Sequence, residues 1–201
     1  MISIINYGLG NLRSIQKAFE KFDHETVITA NTEVIEQSDA LILPGVGAFG
    51  KAMQDLEDQN LIQLLQRKIV SVPTLGICLG MQLLFESSEE NPDVIGLSLI
   101  QGKVKKMDTL ENVRIPHTGW NKIYSSQEPF FTGYAYFNHS YYCEPDNKRD
   151  IVSTVIHGKR LPVIVKQGPI LGVQFHPEKS QTTGESVIKY FLTQISHEVP
   201  L

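Results

Sequence analysis

Two hydrophobic periods alternate through the first half of the chain. Residues 2–6 are a short apolar run rich in isoleucine and read as a strand. Leu12, Ile15, Phe19 and Phe22 then recur at the three- and four-residue intervals of one helix face. Thr26-Val27-Ile28-Thr29 and Ala40-Leu41-Ile42-Leu43 read as a second and third strand, the latter ended by Pro44-Gly45. Met53, Leu56, Leu61, Leu64 and Leu65 mark a further helical region. Val72-Pro73-Thr74-Leu75 reads as a fourth strand and Met81-Gln82-Leu83-Leu84-Phe85-Glu86 as the helix after it. Strands that alternate with helices predict a parallel sheet covered by helices, with ligands at the carboxyl ends of its strands.

The second half changes period. Short β-rich runs stand at 98–106, 121–124, 134–142, 151–156 and 163–166, followed by a strand over 170–175 and a helix near 184–196. There is no repeat, low-complexity segment or linker. The expectation is one α/β domain over residues 1–201: a central, mostly parallel sheet, flanking helices and antiparallel additions.

Composition narrows the class. With 201 residues, 41% hydrophobic and 20% charged, the chain suits a soluble domain with a full core. A net charge of −4 without a basic stripe argues against nucleic acid as a partner, and Gly102-Lys103-Val104-Lys105-Lys106 reads as a solvated strand or turn. No apolar run approaches the ~20 residues of a membrane span. The start lacks a charged leader region and reads as a first strand. Two cysteines, Cys78 and Cys143, fit a reduced, cytoplasmic chain, with Cys143 an inert core or strand residue. No Cys/His spacing suggests a metal, and no cofactor is expected.

The chemistry centres on Gly76-Ile77-Cys78-Leu79-Gly80, a nucleophile between small residues where a strand turns into a helix. Such an elbow raises the reactive atom above the sheet. The helix start behind it favours a thiolate and offers N–H groups to an oxyanion. A buried structural thiol beside a helix cap is the competing reading. A nucleophilic thiol needs a base, and His176-Pro177-Glu178 supplies one: in an extended segment residues two apart share a side, so Glu178 can orient His176. His139, in Phe137-Asn138-His139-Ser140-Tyr141-Tyr142, is the rival base, but no carboxylate stands two positions away, which leaves it a substrate contact or a structural role. His24 and His197 sit in polar settings, His157 in a turn before Gly158, and His117 in a loop after Pro116.

Pro44-Gly45-Val46-Gly47-Ala48-Phe49-Gly50 is a flexible loop that can aim N–H groups at an oxyanion, or a plain strand-to-helix turn. No Gly-Lys-Ser/Thr follows it, which excludes a phosphate P-loop, and Asn6-Tyr7-Gly8-Leu9-Gly10-Asn11 lacks the third glycine of a dinucleotide fingerprint.

In order, Asn6–Asn11, the loop 44–49, Gly76-Ile77-Cys78-Leu79-Gly80-Met81-Gln82, Pro116-His117-Thr118-Gly119-Trp120-Asn121 and Gln174-Phe175-His176-Pro177-Glu178-Lys179-Ser180 resemble the class I, triad-type glutamine amidotransferases almost end to end. The set is similar to that of the glutaminase subunits of imidazole glycerol phosphate synthase, in histidine biosynthesis. The resemblance implies that Cys78 attacks the glutamine side-chain amide, that His176 moves the proton and that Glu178 orients it. It further implies that Gly47 and Gln82 contact glutamine and that Ser140 and Tyr141 hold its backbone groups. Leu79 and the Val46–Gly47 region would meet the oxyanion after a peptide rearrangement. Family members more usually carry Met where Thr118 stands, in what reads as a loop, which leaves room for a paralogue serving another acceptor, such as a surface sugar.

The motifs span the sequence from strand to strand, and the expectation is that these residues hold the ammonia-producing half alone. A partner is therefore expected; the family's is a (β/α)₈-barrel cyclase, forming a heterodimer with contacts at Tyr7, Leu9, Trp120, Tyr136 and Lys179. A stand-alone cysteine hydrolase of the same fold and a catalytically dead binding subunit are the remaining alternatives; intact Cys78, His176 and Glu178 weigh against the second.

Overall fold

Strands with no polar face need cover on both sides, and this governs the first half of the chain. A computed structural model describes residues 1–109, 111, 113–125 and 132–195. In order these form β1 (Ile2–Ile5), α1 (Leu12–Glu20), β2 (Thr26–Thr29), α2 (Thr32–Glu36), β3 (Ala40–Leu43), α3 (Phe49–Asp58), α4 (Ile62–Ile69), β4 (Thr74–Ile77) and α5 (Leu79–Leu83). Next come β5 (Phe85–Ser88), β6 (Asn91–Ile95), β7 (Ile100–Lys106), β8 (His117–Ser125), β9 (Gly133–His139), β10 (Tyr141–Pro145), β11 (Ile151–His157), β12 (Lys159–Gln167), β13 (Ile170–Val173) and α6 (Gln181–Ile195).

Nine strands make one mixed sheet in the order β2-β1-β3-β4-β13-β12-β11-β8-β9. Its first five strands run parallel, and every pairing from β13 to β9 is antiparallel. Successive side chains leave opposite faces: Ile2, Ile4, Ala40 and Ile42 pack with Ile15 and Phe19 of α1 and Val187, Ile188 and Phe191 of α6. Ile5, Leu41 and Leu43 pack on the other face with Ile35 of α2, Phe49, Met53 and Leu56 of α3, and Leu64 and Leu65 of α4. A second sheet, β10-β7-β5-β6, lies on that second face.

The elements that differ from the sequence reading differ for identifiable reasons. The fourth strand lies two residues later than expected, because Thr74 donates to Pro169 O (3.0 Å) and β4 registers on β13 from Thr74 onward. The helix expected over 81–86 is one turn, Leu79–Leu83. That stretch is apolar all round, so its period cannot separate helix from strand, and pairing of Phe85 with Ile100 captures the rest as β5. The run 134–142 is two strands split at Ser140: His139 pairs with His117 in the large sheet and Tyr141 with Lys106 in the small one. Five-residue α2 is too short to show a period, though Asn31 caps it by accepting from Glu33 and Val34 N–H. His117 and Thr118 are strand residues of β8, not loop residues. His197 and the end of the expected last helix lie outside the described residues. Among the described residues no helix is long and apolar enough to cross a membrane.

Candidate active site

Cys78 follows β4 directly and is the residue from which α5 starts. Its backbone has φ 53° and ψ −109°, a strained conformation for a residue with a Cβ. Two neighbours hold it there. Cys78 N–H donates to Val173 O at 2.8 Å, locking the turn to β13, and Gly80 lies so close to β3 that a Cβ would overlap the Leu43 carbonyl oxygen. The strain gives a test of reversed sign. In ordinary backbone, glycine is less stable than alanine; at position 78 we expect Cys78→Gly to be more stable than Cys78→Ala by about 1–2 kcal/mol. Equal or inverted thermal midpoints would show that the turn carries no strain.

His176 is placed by the strand beside that elbow. After β13, Gln174 N–H donates to Val163 O (2.9 Å) and His176 N–H to Tyr136 O (3.1 Å). Pro177–Lys179 then forms a 3₁₀ turn, not the extended segment expected from the sequence, and this turn brings Glu178 back under the imidazole. Ser180 Oγ ties the turn down, donating to His176 O (2.6 Å) and accepting from Tyr136 N–H (2.9 Å). His176 Nδ1 lies 3.0 Å from Glu178 Oε1, with both side chains buried. Burial alone would lower the imidazole pKa, but hydrogen bonds to Cys78 and Glu178 outweigh it and raise His176 to about 10. Glu178 Oε2 is buried without a hydrogen-bond partner among the described residues. The carboxylate thus faces the imidazolium alone.

One cavity of about 270 Å³ joins these residues. Cys78, His176, Val46, Gly47, Leu79, Gln82, Ser140 and Tyr141 line it, together with Glu90, Pro116, Asn138 and His139. Topology explains the meeting: the loop after β3 and the elbow after β4 are adjacent carboxyl ends, and the switch of sheet at Ser140 delivers Ser140 and Tyr141 from the far edge. Gly47 has φ +107°, a region costly for other residues. Glu90 is invisible to local reasoning, since it comes from the β5–β6 turn. It accepts from Phe49 N–H at 2.8 Å, while Asn91 Oδ1 accepts from Gly50 N–H at 2.8 Å. These borrowed caps serve α3, whose own N-cap, Ala48, has no side-chain acceptor. Gln174 is likewise absent from the candidates that the sequence suggests; it is fully buried, and its Nε2 donates to Cys78 Sγ at 3.8 Å.

His117 and His139 form a directed chain. Asn121 Nδ2 donates to His117 Nε2 (3.2 Å), so His117 Nδ1 carries the proton it shares with His139 Nε2 (3.1 Å), and His139 Nδ1 donates to Tyr141 O (2.7 Å). His117 also stacks on His157 and Phe137. Both imidazoles are neutral. Burial and then the charges of His139 and His157 lower His117 to about 3, and burial outweighs the Tyr141 bond to lower His139 to about 4. His139 is thus a structural wall of the cavity, unsuited to be a base at neutral pH. The linkage has a definite sign. In the unfolded chain both groups take protons below about pH 6.5, and in the folded chain they do not, so their stabilisation is present above pH 6.5 and is lost as pH falls toward 4. His176 acts oppositely: its contribution is complete below pH 6.5 and fades as pH rises through about 10. Between pH 6.5 and 5 we expect a loss of about 1–3 kcal/mol, discounted for screening at His117. Urea titrations across that window check it; a His117→Gln, His139→Gln double variant should show a flatter profile.

Among the expected contact residues, Trp120 is 49% exposed, Lys179 is exposed and Tyr136 is half-buried. They lie side by side, with Trp120 edge-on to Tyr136 (6.2 Å) and Lys179 Nζ over the Tyr136 ring (5.6 Å). Leu9 is half-buried. Tyr7 is a correction: it is fully buried, its phenol donates to Pro44 O, and burial pushes its pKa far up, so it buttresses the loop carrying Gly47 and presents no side chain to a partner. Thr118 is exposed and donates to Asn138 Oδ1 (3.1 Å) on the neighbouring strand. Cys143 lies on β10, fully buried, and burial raises its thiol pKa.

Comparison with known proteins gives a consistent result. Residues 3–195 match the family described as glutamine amidotransferase class-I. A protein of Sulfurimonas denitrificans named imidazole glycerol phosphate synthase subunit HisH is 43% identical, covering 95% of this chain and 97% of its own length. Proteins so named in Bacillus subtilis (41% identical, 95% of each chain) and, as HisH 1, in Methanococcus maripaludis (43%, 97% of this chain and all of its own) match similarly. Among solved structures, one titled glutamine amidotransferase superposes with a TM-score of 0.79 at 19% identity, covering 96% of this chain and 98% of the other.

Proposed function

The chain belongs to the glutamine amidotransferase class-I family, and we propose that it is the glutaminase subunit of an imidazole glycerol phosphate synthase, hydrolysing L-glutamine and handing ammonia to a cyclase subunit. The observation that carries this reading is one arrangement: a strained Cys78, a His176 bonded to the buried Glu178 side chain, and a cavity that joins Cys78 and His176 to the Gly47 loop.

The geometry supports a course in two stages. Cys78 Sγ, as thiolate, adds to the carboxamide carbon of glutamine. The oxyanion is met by Leu79 N–H, in the unpaired first turn of α5, and by a peptide N–H of the Val46–Gly47 loop after it rotates. His176 protonates the departing nitrogen, and the C–N bond breaks to leave ammonia and a γ-glutamyl thioester on Cys78. His176, now neutral, takes a proton from water as its oxygen attacks the thioester, and glutamate leaves with the thiolate restored. Gln82, Ser140 and Tyr141 hold the substrate. Glu178 keeps the imidazole oriented and its cation stabilised. Glu178→Gln keeps the shape and removes the charge; we expect kcat to fall roughly 10²-fold with the fold intact. Unchanged kcat would exclude Glu178 from the triad.

Ammonia at neutral pH is mostly the unreactive ammonium ion, so release beside an acceptor site on a docked partner is chemically required. We assign that docking to a (β/α)₈-barrel cyclase contacting Trp120, Tyr136 and Lys179, with Leu9 at its margin. The test is the glutaminase rate of the chain alone, with the barrel subunit, and with that subunit plus its nucleotide ligand. The reading expects the rate to rise at each step. Three equal rates contradict partner gating, and no activity in any state contradicts the glutaminase assignment.

A further inference from the structure

Cys78 has a polar neighbour with no part in thioester formation or hydrolysis. Gln174 is fully buried between β12 and the elbow, and its Nε2 is 3.8 Å from Cys78 Sγ. Its other end meets Gln82, whose Nε2 donates to Gln174 Oε1 at 3.3 Å and to Tyr141 O at 3.4 Å. This settles which way each amide faces. Tyr141 O fixes Gln82 with its N–H groups outward, so were Gln174 turned over, two N–H groups would oppose each other at Gln82. With both Gln82 N–H groups engaged, its Oε1 is the acceptor it offers to the cavity.

We infer that Gln174 is a positioning residue for the nucleophile: its carboxamide, oriented by Gln82, donates to the Cys78 sulfur and favours the thiolate. This rests on the reading of Cys78 as nucleophile. An N–H donor to a thiolate is a charge-assisted bond, stronger between buried groups, whereas to a neutral thiol it is weak, so the contact discriminates between the two ionisation states. It also couples substrate to nucleophile, because a ligand that seats on Gln82 Oε1 holds the same amide pair in register. The titratable groups that face Cys78 are His176 after β13, Tyr7 after β1 and Cys143 on β10. Burial keeps the phenol and the second thiol neutral, which leaves His176 as the cation and Gln174 as the neutral donor.

Gln174→Met retains the volume and removes the donor. In the whole chain, the rate of Cys78 alkylation by iodoacetamide, followed on its peptide by mass spectrometry, should fall about tenfold near pH 6.5. The two rates should converge as pH rises toward 10. A packing role alone would change the rate equally at both pH values or not at all, and either outcome overturns the inference. Should Gln174→Met fail to fold, Gln82→Met serves: it frees the Gln174 amide to turn, and about a threefold loss near pH 6.5 with the same convergence is expected. No pH-dependent loss there overturns the inference equally. Inactivation of the unsubstituted chain by a glutamine-analogue electrophile tests the nucleophile reading separately.

Discussion

Replacing Cys78 by serine should lower glutamine hydrolysis by about 10⁴–10⁶-fold and leave ammonium-fed synthesis by the assembled complex close to normal. The loss is large because a hydroxyl at this position ionises far less readily than a thiol. Serine also removes the sulfur whose hydrogen bond and charge, with those of Glu178, hold His176 up at about 10 in this chain, so the imidazolium–thiolate pair is lost as a unit. Synthesis from external ammonium survives because the acceptor site belongs to the partner and one heavy atom changes in an already fixed elbow. The measurement is a pair of rates on one preparation: glutamate release, and cyclase product formed with ammonium salt. Residual glutamine hydrolysis near normal would remove Cys78 from the mechanism.

Gly47→Pro should cost roughly 10³-fold in glutaminase rate even with partner and nucleotide present. Two independent effects act together. Proline removes the position 47 N–H from the oxyanion loop, and its ring fixes φ near −65°, against the +107° found here. A Cβ at Gly47 meets nothing within 4 Å, so steric overlap is not the cause. Tyr7, Leu79 and Glu90 hold the loop's flanks, which keeps the damage local. A Gly47→Ala control separates the effects: it keeps the N–H, strains φ, and should lose far less. If Pro and Ala lose equally, the N–H of residue 47 does not serve the oxyanion.

How much of the molecule is legible in the sequence depends on which signals are local. Ala40–Leu43 appears at its observed bounds because a fully apolar run closed by Pro-Gly permits little else. The elbow shows itself because its glycines and cysteine are contiguous. The 3₁₀ turn at His176 is not legible, because Pro177 ends a strand without fixing the geometry of the next residues; His176 and Glu178 still meet, since His176 keeps an extended backbone and the turn that follows folds Glu178 back to it. Tyr7 is expected at a partner contact, and only the packing of the Pro44 loop over it reveals a buried phenol. Glu90 and Gln174 act across 41 and 96 residues of chain, respectively, as a cap for Phe49 and a donor to Cys78, and no periodicity encodes such partners. Ser140 is the instructive intermediate case. Family resemblance places it at the cavity, while the physical cause of that placement, the change of sheet between His139 and Tyr141, is a long-range pairing choice.

The central claim is that glutamine is processed on the sulfur of Cys78, and a glutamine-analogue electrophile tests it most directly. The assembled enzyme is incubated with the analogue, activity is followed, and the label is located by peptide mass spectrometry. The account predicts one label per chain on the Cys78 peptide, appearing in step with loss of glutaminase activity and slowed by glutamine. Full inactivation with the label on another residue, or a fully labelled Cys78 with activity undiminished, would contradict it.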